Sequence, residues 1–473
     1  MALLKIVSGQ KPREIALEVL GRRRGAGAYV EDLLDQALAG ASLPAVDRRL
    51  CQELVYGVAR WQATLDWLIG RKTGNRAQRP ALQNLLRLGL YQIFWLERIP
   101  NHAAVHETVE LAKRRGFGAQ AGFVNALLRG YLREDQATRQ TLAELKTSQP
   151  ALGYSHPEWL VGRWQQRWGV EPTAQLLAWD NTPPQTFARV NTLKADPGRL
   201  LAQWREENVE YDFVRRDWLE ENLVFELKAH PPLAHLPSFS QGLFYVQDPS
   251  TLLAPRELDP QPGETVLDLC AAPGGKLSYL AQLMRNQGHL VAQDTAPGRL
   301  KLITENCARL GVTGVEVWSS GFSLPGAPLP PLPDGPDKLK LGLQTAVPAL
   351  PVPSRSTSAL PPAPRFDRIL VDAPCSNTGV IRRRVDLRWR LRPEEIERLR
   401  AMQLDLLRQA AARLRPGGRL VYSTCSLEPE ENRGVIDEFL REQAGVSVDN
   451  ERELRPFVEG VDGAYVARLT KTR

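Results

Sequence analysis

Cysteine is scarce in this chain: five residues in 473, at 51, 270, 307, 375 and 425, with no C-x-x-C spacing among them. That argues against a disulfide framework or a cysteine zinc site and for free thiols in a reducing compartment. Histidine is nearly as thin, at six. His102 and His106 stand four apart, but without a third ligand nearby they read as a polar helix face, so no metal is expected. No uninterrupted apolar run approaches the ~18 residues of a membrane helix. The opening MALLKIVSGQKPREIA turns basic too soon to contain a signal h-region. A cytoplasmic protein without a membrane partner is the expectation. The pattern G-x-G-x-x-G is missing too, which argues against a pyrophosphate-bearing dinucleotide.

What is present suits a soluble protein of two or three domains. The length exceeds what one core supports, and 43% hydrophobic with 24% charged residues is ordinary for globular chains. The net charge of +7 is clustered in GRRRGAG (21–27), LAKRRGFG (111–118) and IRRRVDLRWRLR (381–392). Trp389 among the arginines of the last cluster suits a phosphate-tracking surface with an aromatic platform, so a nucleic-acid partner is expected.

Apolar residues recur at three- and four-residue intervals through REIALEVLGRR, EDLLDQAL, DRRLCQELVYGVARWQATLDWLI and ALQNLLRLGLYQIFWL, which predicts an all-helical domain over 1–145. Mixed texture over 146–245 predicts a small α+β connecting domain, with HPEWLVGRWQQRWG a helix and RVNTLKAD a strand and turn. Over 246–473 short apolar runs alternate with helices, which implies a parallel sheet covered on both faces. Residues 323–364 hold 12 of the 36 prolines without helical or strand period and read as a disordered surface insertion.

Two stretches carry chemistry. In ETVLDLCAAPGGK (264–276) a strand ends at Asp268 and a turn of Cys270, Ala271, Ala272, Pro273, Gly274, Gly275 and Lys276 opens a helix. The glycines allow close backbone approach and the helix start presents unpaired N–H groups. Asp294, at the end of the next strand, can take both hydroxyls of a ribose. Together these favour an adenosine-bearing cofactor. The second pair is FDRILVDAPCSNTG (366–379) and LVYSTCS (420–426), which place Asp372, Cys375 and Cys425 at strand C-terminal ends. A lone cysteine there is usually a small buried hydrophobe. Two cysteines at the same end of neighbouring strands, ~4.8 Å apart, are hard to explain as packing.

CAAPGGK, DAPCSNTGVIRR and STCSLEPEEN, with RVNTLK (189–194), QDPST (247–251) and DGAYVARLTK (462–471), resemble the signature blocks of the Sun/Fmu family of S-adenosylmethionine-dependent RNA cytosine-5 methyltransferases. LVYGVARWQATLDWLI and NHAAVHETVELAK resemble the antitermination factor NusB, a fusion typical of bacterial enzymes acting on 16S rRNA. The resemblance implies a NusB-like RNA-binding domain, a linker domain and a class I, Rossmann-like methyltransferase domain. It implies S-adenosylmethionine as cofactor, held by residues 270–276, Asp294 and Asp372. Its expected partner is 16S rRNA, unassembled or in a partly assembled small subunit, met by a monomer. It assigns nucleophilic attack to Cys425 and help in product release to Cys375. The residues alone do not rank the two thiols, since DNA cytosine methyltransferases attack from the Pro-Cys position. Asp372 would face the cytosine N3/N4 edge, and Lys276 would orient the base or the donor. Three departures stand out: Ser319 and Ser320 where the family usually has an acid, Asn377 for a small residue, and Arg384-Val385 for His-Pro. The alternatives are a tRNA cytosine-5 methyltransferase and a non-enzymatic NusB-like antitermination factor.

Overall fold

A computed structural model describes residues 11–23, 28–295, 297–319 and 365–472. The proline-rich stretch 323–364 and Ser320 lie outside them, as do Gly25 and Gly27. The chain divides into two compact units, the first taking in residues up to Pro183 together with Ile381–Leu391.

The first unit is helical. Pro12–Arg22, Val30–Ala39, Ala45–Arg60, Gln62–Thr73, Pro80–Trp95, Asn101–Arg114 and Ala121–Arg133 enclose a core that includes Leu34, Leu54, Leu85, Leu86, Leu90 and Leu128. Proline opens two of these helices, where its missing N–H has no intrahelical acceptor to lose, and left-handed Gly74 closes a third. Four more helices, Asp135–Ser148, Pro150–Gly153, Glu158–Trp168 and Val170–Asp180, complete the unit's run to Pro183.

The arginine-rich strip 381–391 packs into this unit, which corrects its reading as a phosphate-facing surface. Arg388 is fully buried and donates to the carbonyls of Ser155 (3.3 Å) and Asp180 (3.1 Å) and to Asn181 Oδ1 (2.8 Å). Arg382 is buried with its guanidinium 3.9 Å from the centre of the Trp179 ring. Trp389 donates its indole N–H to the Ala59 carbonyl (2.7 Å), and Arg390 bonds Asp386 (2.9 Å). Val385 joins the helical core, and its N–H donates to Glu31 Oε1 (3.1 Å). Burial of the Glu31 carboxyl, with Asp386 beside it, raises its pKa to about 8. The strip stays folded in because its fully buried charges are partnered, Arg388 by two carbonyls and the Asn181 amide and Asp386 by Arg23 and Arg390.

The second unit holds two sheets. Strands β1 (Thr186–Val190), β2 (Glu210–Phe213), β3 (Val224–Ala229) and β4 (Phe244–Val246) form an antiparallel sheet in the order β2-β3-β1-β4. The larger sheet contains β5 (Thr265–Asp268), β6 (His289–Asp294), β7 (Val315–Ser319), β8 (Phe366–Asp372), β9 (Leu414–Thr424), β10 (Val446–Leu454) and β11 (Ala464–Lys471), ordered β10-β11-β9-β8-β5-β6-β7. Five strands are parallel, as the alternation predicts. The sheet is not all parallel, however, because β11 pairs antiparallel with β9 and β10 with β11. Helices Gly275–Leu283 and Pro297–Leu310 cover one face through Leu277, Leu280 and Ile303, and Pro393–Arg413 and Arg433–Glu442 cover the other through Leu407, Ala410, Ile436 and Phe439. Cys51 and Cys307 are core residues, with burial raising their thiols to about 12 and about 11. No helix among the described residues is long and apolar enough to cross a membrane.

Candidate active site

The parallel register sets the site. β8 lies between β5 and β9, with Asp372 paired to Ser423 and Asp268 to Leu370. Ligands in open α/β sheets bind beyond the strand C-terminal ends, and here those ends carry Asp268, Asp294, Asp372 and Cys425.

At the end of β5 the 270–276 turn folds back on itself, with the Gly274 N–H donating to the Ala271 carbonyl (2.7 Å). Gly274 has φ +101°, a backbone state that other residues rarely adopt. Asp294 Oδ2 accepts the Ala272 N–H (3.1 Å), and its Oδ1 accepts the Thr295 N–H (2.8 Å) and lies 3.4 Å from Arg299. These contacts orient Asp294 at the strand end. Ser319 stands exposed across the ladder from Asp294. Arg189 of the RVNTLK block is buried and donates to the Gly275 carbonyl (3.0 Å), Ser278 Oγ (2.8 Å) and Gln247 Oε1 (2.7 Å), so that block braces the start of the glycine-turn helix.

Asp268 is a residue the motif reading passed over. It is buried, and neither carboxylate oxygen has a hydrogen-bond partner. Burial raises its pKa to about 8, helped by Asp372 and Asp294 and opposed by Lys276. An orphaned buried carboxyl at the end of the central strand is a polar group prepared for a ligand. With the left-handed glycine turn beside it, it fits an amino- and hydroxyl-bearing cofactor.

On the chemical side, Cys375 Sγ and Cys425 Sγ are 3.4 Å apart. Cys375 is buried and Cys425 half-buried. The hydrogen bond to Cys425, burial and the nearby Glu431 charge push the Cys375 thiol well above its ordinary pKa. Cys425 donates to Asn377 Oδ1 (2.9 Å), whose Nδ2 in turn donates to the Cys375 carbonyl (2.7 Å). Asn377 has φ +59°, a conformation asparagine tolerates better than most residues. Lys276 Nζ donates to Asp372 Oδ2 (2.7 Å), and Ser423 Oγ donates to Asp372 Oδ1 (2.9 Å). Burial pulls the Lys276 ammonium down, but Asp372, Cys425 and Asp268 outweigh it and leave its pKa raised. Gly379 and Gly463 meet back to back, and a Cβ on either would lie 2.7 Å from the other's Cα, which gives the DGAYVARLTK block a steric role beside the cysteine loops.

Two further side chains escaped the sequence reading, one inside a motif and one outside any. Glu431 of STCSLEPEEN and Gln403 are fully buried between the cysteine loops. An acid six residues after Cys425 was the available signal for Glu431. No group of three or more metal-ligating side chains occurs among the described residues.

The chain is similar to known proteins over nearly its whole length. A family model described as 16S rRNA methyltransferase RsmB/F matches residues 255–325 and 340–469, the NusB family matches 10–133, and a ferredoxin-like domain of RsmF/B-like methyltransferases matches 156–226. A protein of Bacillus subtilis named probable ribosomal RNA small subunit methyltransferase B is 36% identical over 97% of this chain and 98% of its own length. A ribosomal RNA small subunit methyltransferase B of Klebsiella pneumoniae is 34% identical over 90% of this chain and 91% of its own. The crystal structure titled PH0851 shares the fold, with a TM-score of 0.71 at 24% identity over 99% of this chain and 100% of that one.

Proposed function

The chain belongs to the RsmB/F family of 16S rRNA methyltransferases, and from that premise we propose that it methylates C5 of a cytosine in 16S rRNA through a covalent Cys425–C6 bond. The observation that carries this reading is the 3.4 Å approach of two thiols at the ends of adjacent strands, beside the Lys276–Asp372 pair. S-adenosylmethionine is the cofactor, and residues 270–276, Asp268, Asp294 and Asp372 are those that would hold it. When bound, it supplies a methyl group made electrophilic by the sulfonium charge.

Cytosine C5 is a poor nucleophile until C6 is attacked. Addition of the Cys425 thiolate to C6 makes C5 an enamine carbon that can accept the methyl group. The hydrogen bond to Cys425, burial and the Glu431 charge keep Cys375 protonated. A thiol held in its protonated form suits the release step. Release breaks the Sγ–C6 bond as the C5 proton leaves: the Cys375 thiol passes its proton to the departing Cys425 sulfur and takes up the C5 proton in exchange. Asp372, held by Lys276 and Ser423, is oriented to read the N3/N4 edge of the base.

The helical unit supplies affinity for structured RNA. The target base must be unstacked for C6 to be reached, which favours free or partly assembled small-subunit RNA in the cytoplasm. The test is incubation of the purified protein with S-adenosylmethionine and transcribed 16S rRNA, followed by bisulfite mapping. Transfer to tRNA with none to 16S rRNA would overturn the substrate, and methylation at any atom other than C5 would overturn the mechanism.

A further inference from the structure

We propose that Glu431 is the positioning residue for both cysteines, a single buried carboxylate that joins the two cysteine loops and sets the separation of their thiols. Ser376 directly follows Cys375, and Ser426 directly follows Cys425. Both serine hydroxyls donate to the same oxygen, Glu431 Oε2, at 2.5 Å for Ser426. The other oxygen, Oε1, accepts the Ser376 N–H (2.8 Å) and the Gln403 side-chain amide (3.0 Å). Gln403 Nε2 also donates to the carbonyl of Pro374, the residue before Cys375 (2.8 Å). The Pro-Cys loop is thus tied to Glu431 directly after its cysteine and through Gln403 before it, and the same acid ties the Thr-Cys loop.

Asn432 completes the second loop. Its Oδ1 accepts from Thr424 Oγ1 (2.6 Å) and its Nδ2 donates to the Ser426 carbonyl (2.9 Å), one contact on either side of Cys425. The backbone of Glu431 is anchored as well, because the Tyr422 hydroxyl donates to its main-chain carbonyl (2.6 Å). Charge-assisted bonds to one buried anion are short and directional, so they fix geometry better than neutral pairs would. This role rests on the proposed use of both thiols in one reaction, although the separation it sets is measurable without that reaction.

The experiment uses the full-length chain and Glu431→Gln, which keeps the shape but replaces one acceptor oxygen by a donor. Two readouts are taken: steady-state methyl transfer, and the rate at which diamide, by removing one hydrogen from each thiol, links Cys375 to Cys425, followed by peptide mapping. Misplacing reacting groups by about 1 Å costs about 10²-fold, so kcat should fall by about that factor. The RNA KM and the S-adenosylmethionine Kd should stay within about twofold. Cross-linking, compared at equal thiolate fraction from its pH profile because the variant also removes a charge beside Cys375, should slow about tenfold, since a disulfide tolerates little misalignment. Wild-type kcat and cross-linking in Glu431→Gln would overturn the proposal. If that variant fails to fold, Ser426→Ala, which removes one spoke, carries the same expectation in smaller measure, and unchanged cross-linking there overturns it. Slowed cross-linking in a protein that methylates no RNA would leave the clamp standing and discard the proposed reaction.

Discussion

Cys375 Sγ and Cys425 Sγ approach to 3.4 Å although 50 residues separate them, because β8 and β9 are parallel neighbours that end level with each other. Of the two, Cys425 is the more open to solvent, and Cys375 is the one next to the Glu431 charge. Without Cys425 nothing adds to C6, so Cys425→Ala should give neither methylated RNA nor a covalent species. Without Cys375 addition and methyl transfer proceed but release stalls. Cys375→Ala should accumulate a protein–RNA complex that survives denaturing electrophoresis and requires S-adenosylmethionine to form. The double variant should trap nothing. Trapping by Cys425→Ala with a dead Cys375→Ala would reverse the roles.

Arg388 should matter for stability rather than for phosphate contacts. Its guanidinium satisfies two carbonyls and the Asn181 side chain inside the helical unit. Each buried acceptor left unsatisfied costs about 1–3 kcal/mol. Arg388→Ala should therefore lower Tm by several degrees while the salt dependence of RNA binding keeps its slope. A shallower slope with an unchanged Tm would return this arginine to the RNA surface.

The Glu31 carboxyl gives the stability a pH dependence of defined sign. Folding raises its pKa from 4.5 to about 8, so the folded state takes up a proton across that interval. Its stabilising contribution is fully present below about pH 4.5 and is lost as pH rises through about 8. Glu31→Gln keeps an acceptor for the Val385 N–H and cannot ionise. Thermal melts of this variant should show a smaller fall in Tm between about pH 5 and pH 9 than wild type. An equal fall in both would remove Glu31 as its source.

Truncation should expose the strip that the helical unit covers. Val385, Leu387 and Leu391 are almost fully buried, and all belong to the first unit although they follow Val380 in sequence. A chain starting at Pro184 should therefore be poorly soluble, and replacing those three residues by serine should restore a monomer by size exclusion. A soluble monomeric fragment with the apolar residues intact would show that the strip does not need its cover.

The helical N-terminal region, the parallel strands and the CAAPGGK, Pro-Cys and Thr-Cys turns were legible in the sequence by itself, since each depends on neighbouring residues. Three- and four-residue periodicity marks a helix face, and a buried parallel strand is a short apolar run whose end is marked by a glycine, an acid or a cysteine. The tertiary structure alone decided the rest. Whether the arginines of 381–391 face a phosphate or a protein carbonyl depends on acceptors as distant as Asn181, 207 residues away from Arg388. The antiparallel β10–β11 pair was hidden because β10 is largely exposed and carries charge where a buried strand would show an apolar run. Glu431 looked like one acid among several in LEPEEN, and its position between two cysteine loops follows from the 28 residues back to Gln403 and the 55 back to Ser376. Local pattern reports what a segment can form. Which buried charge meets which partner is settled only when the chain closes on itself, because a charge leaves water only where its partners are already in place.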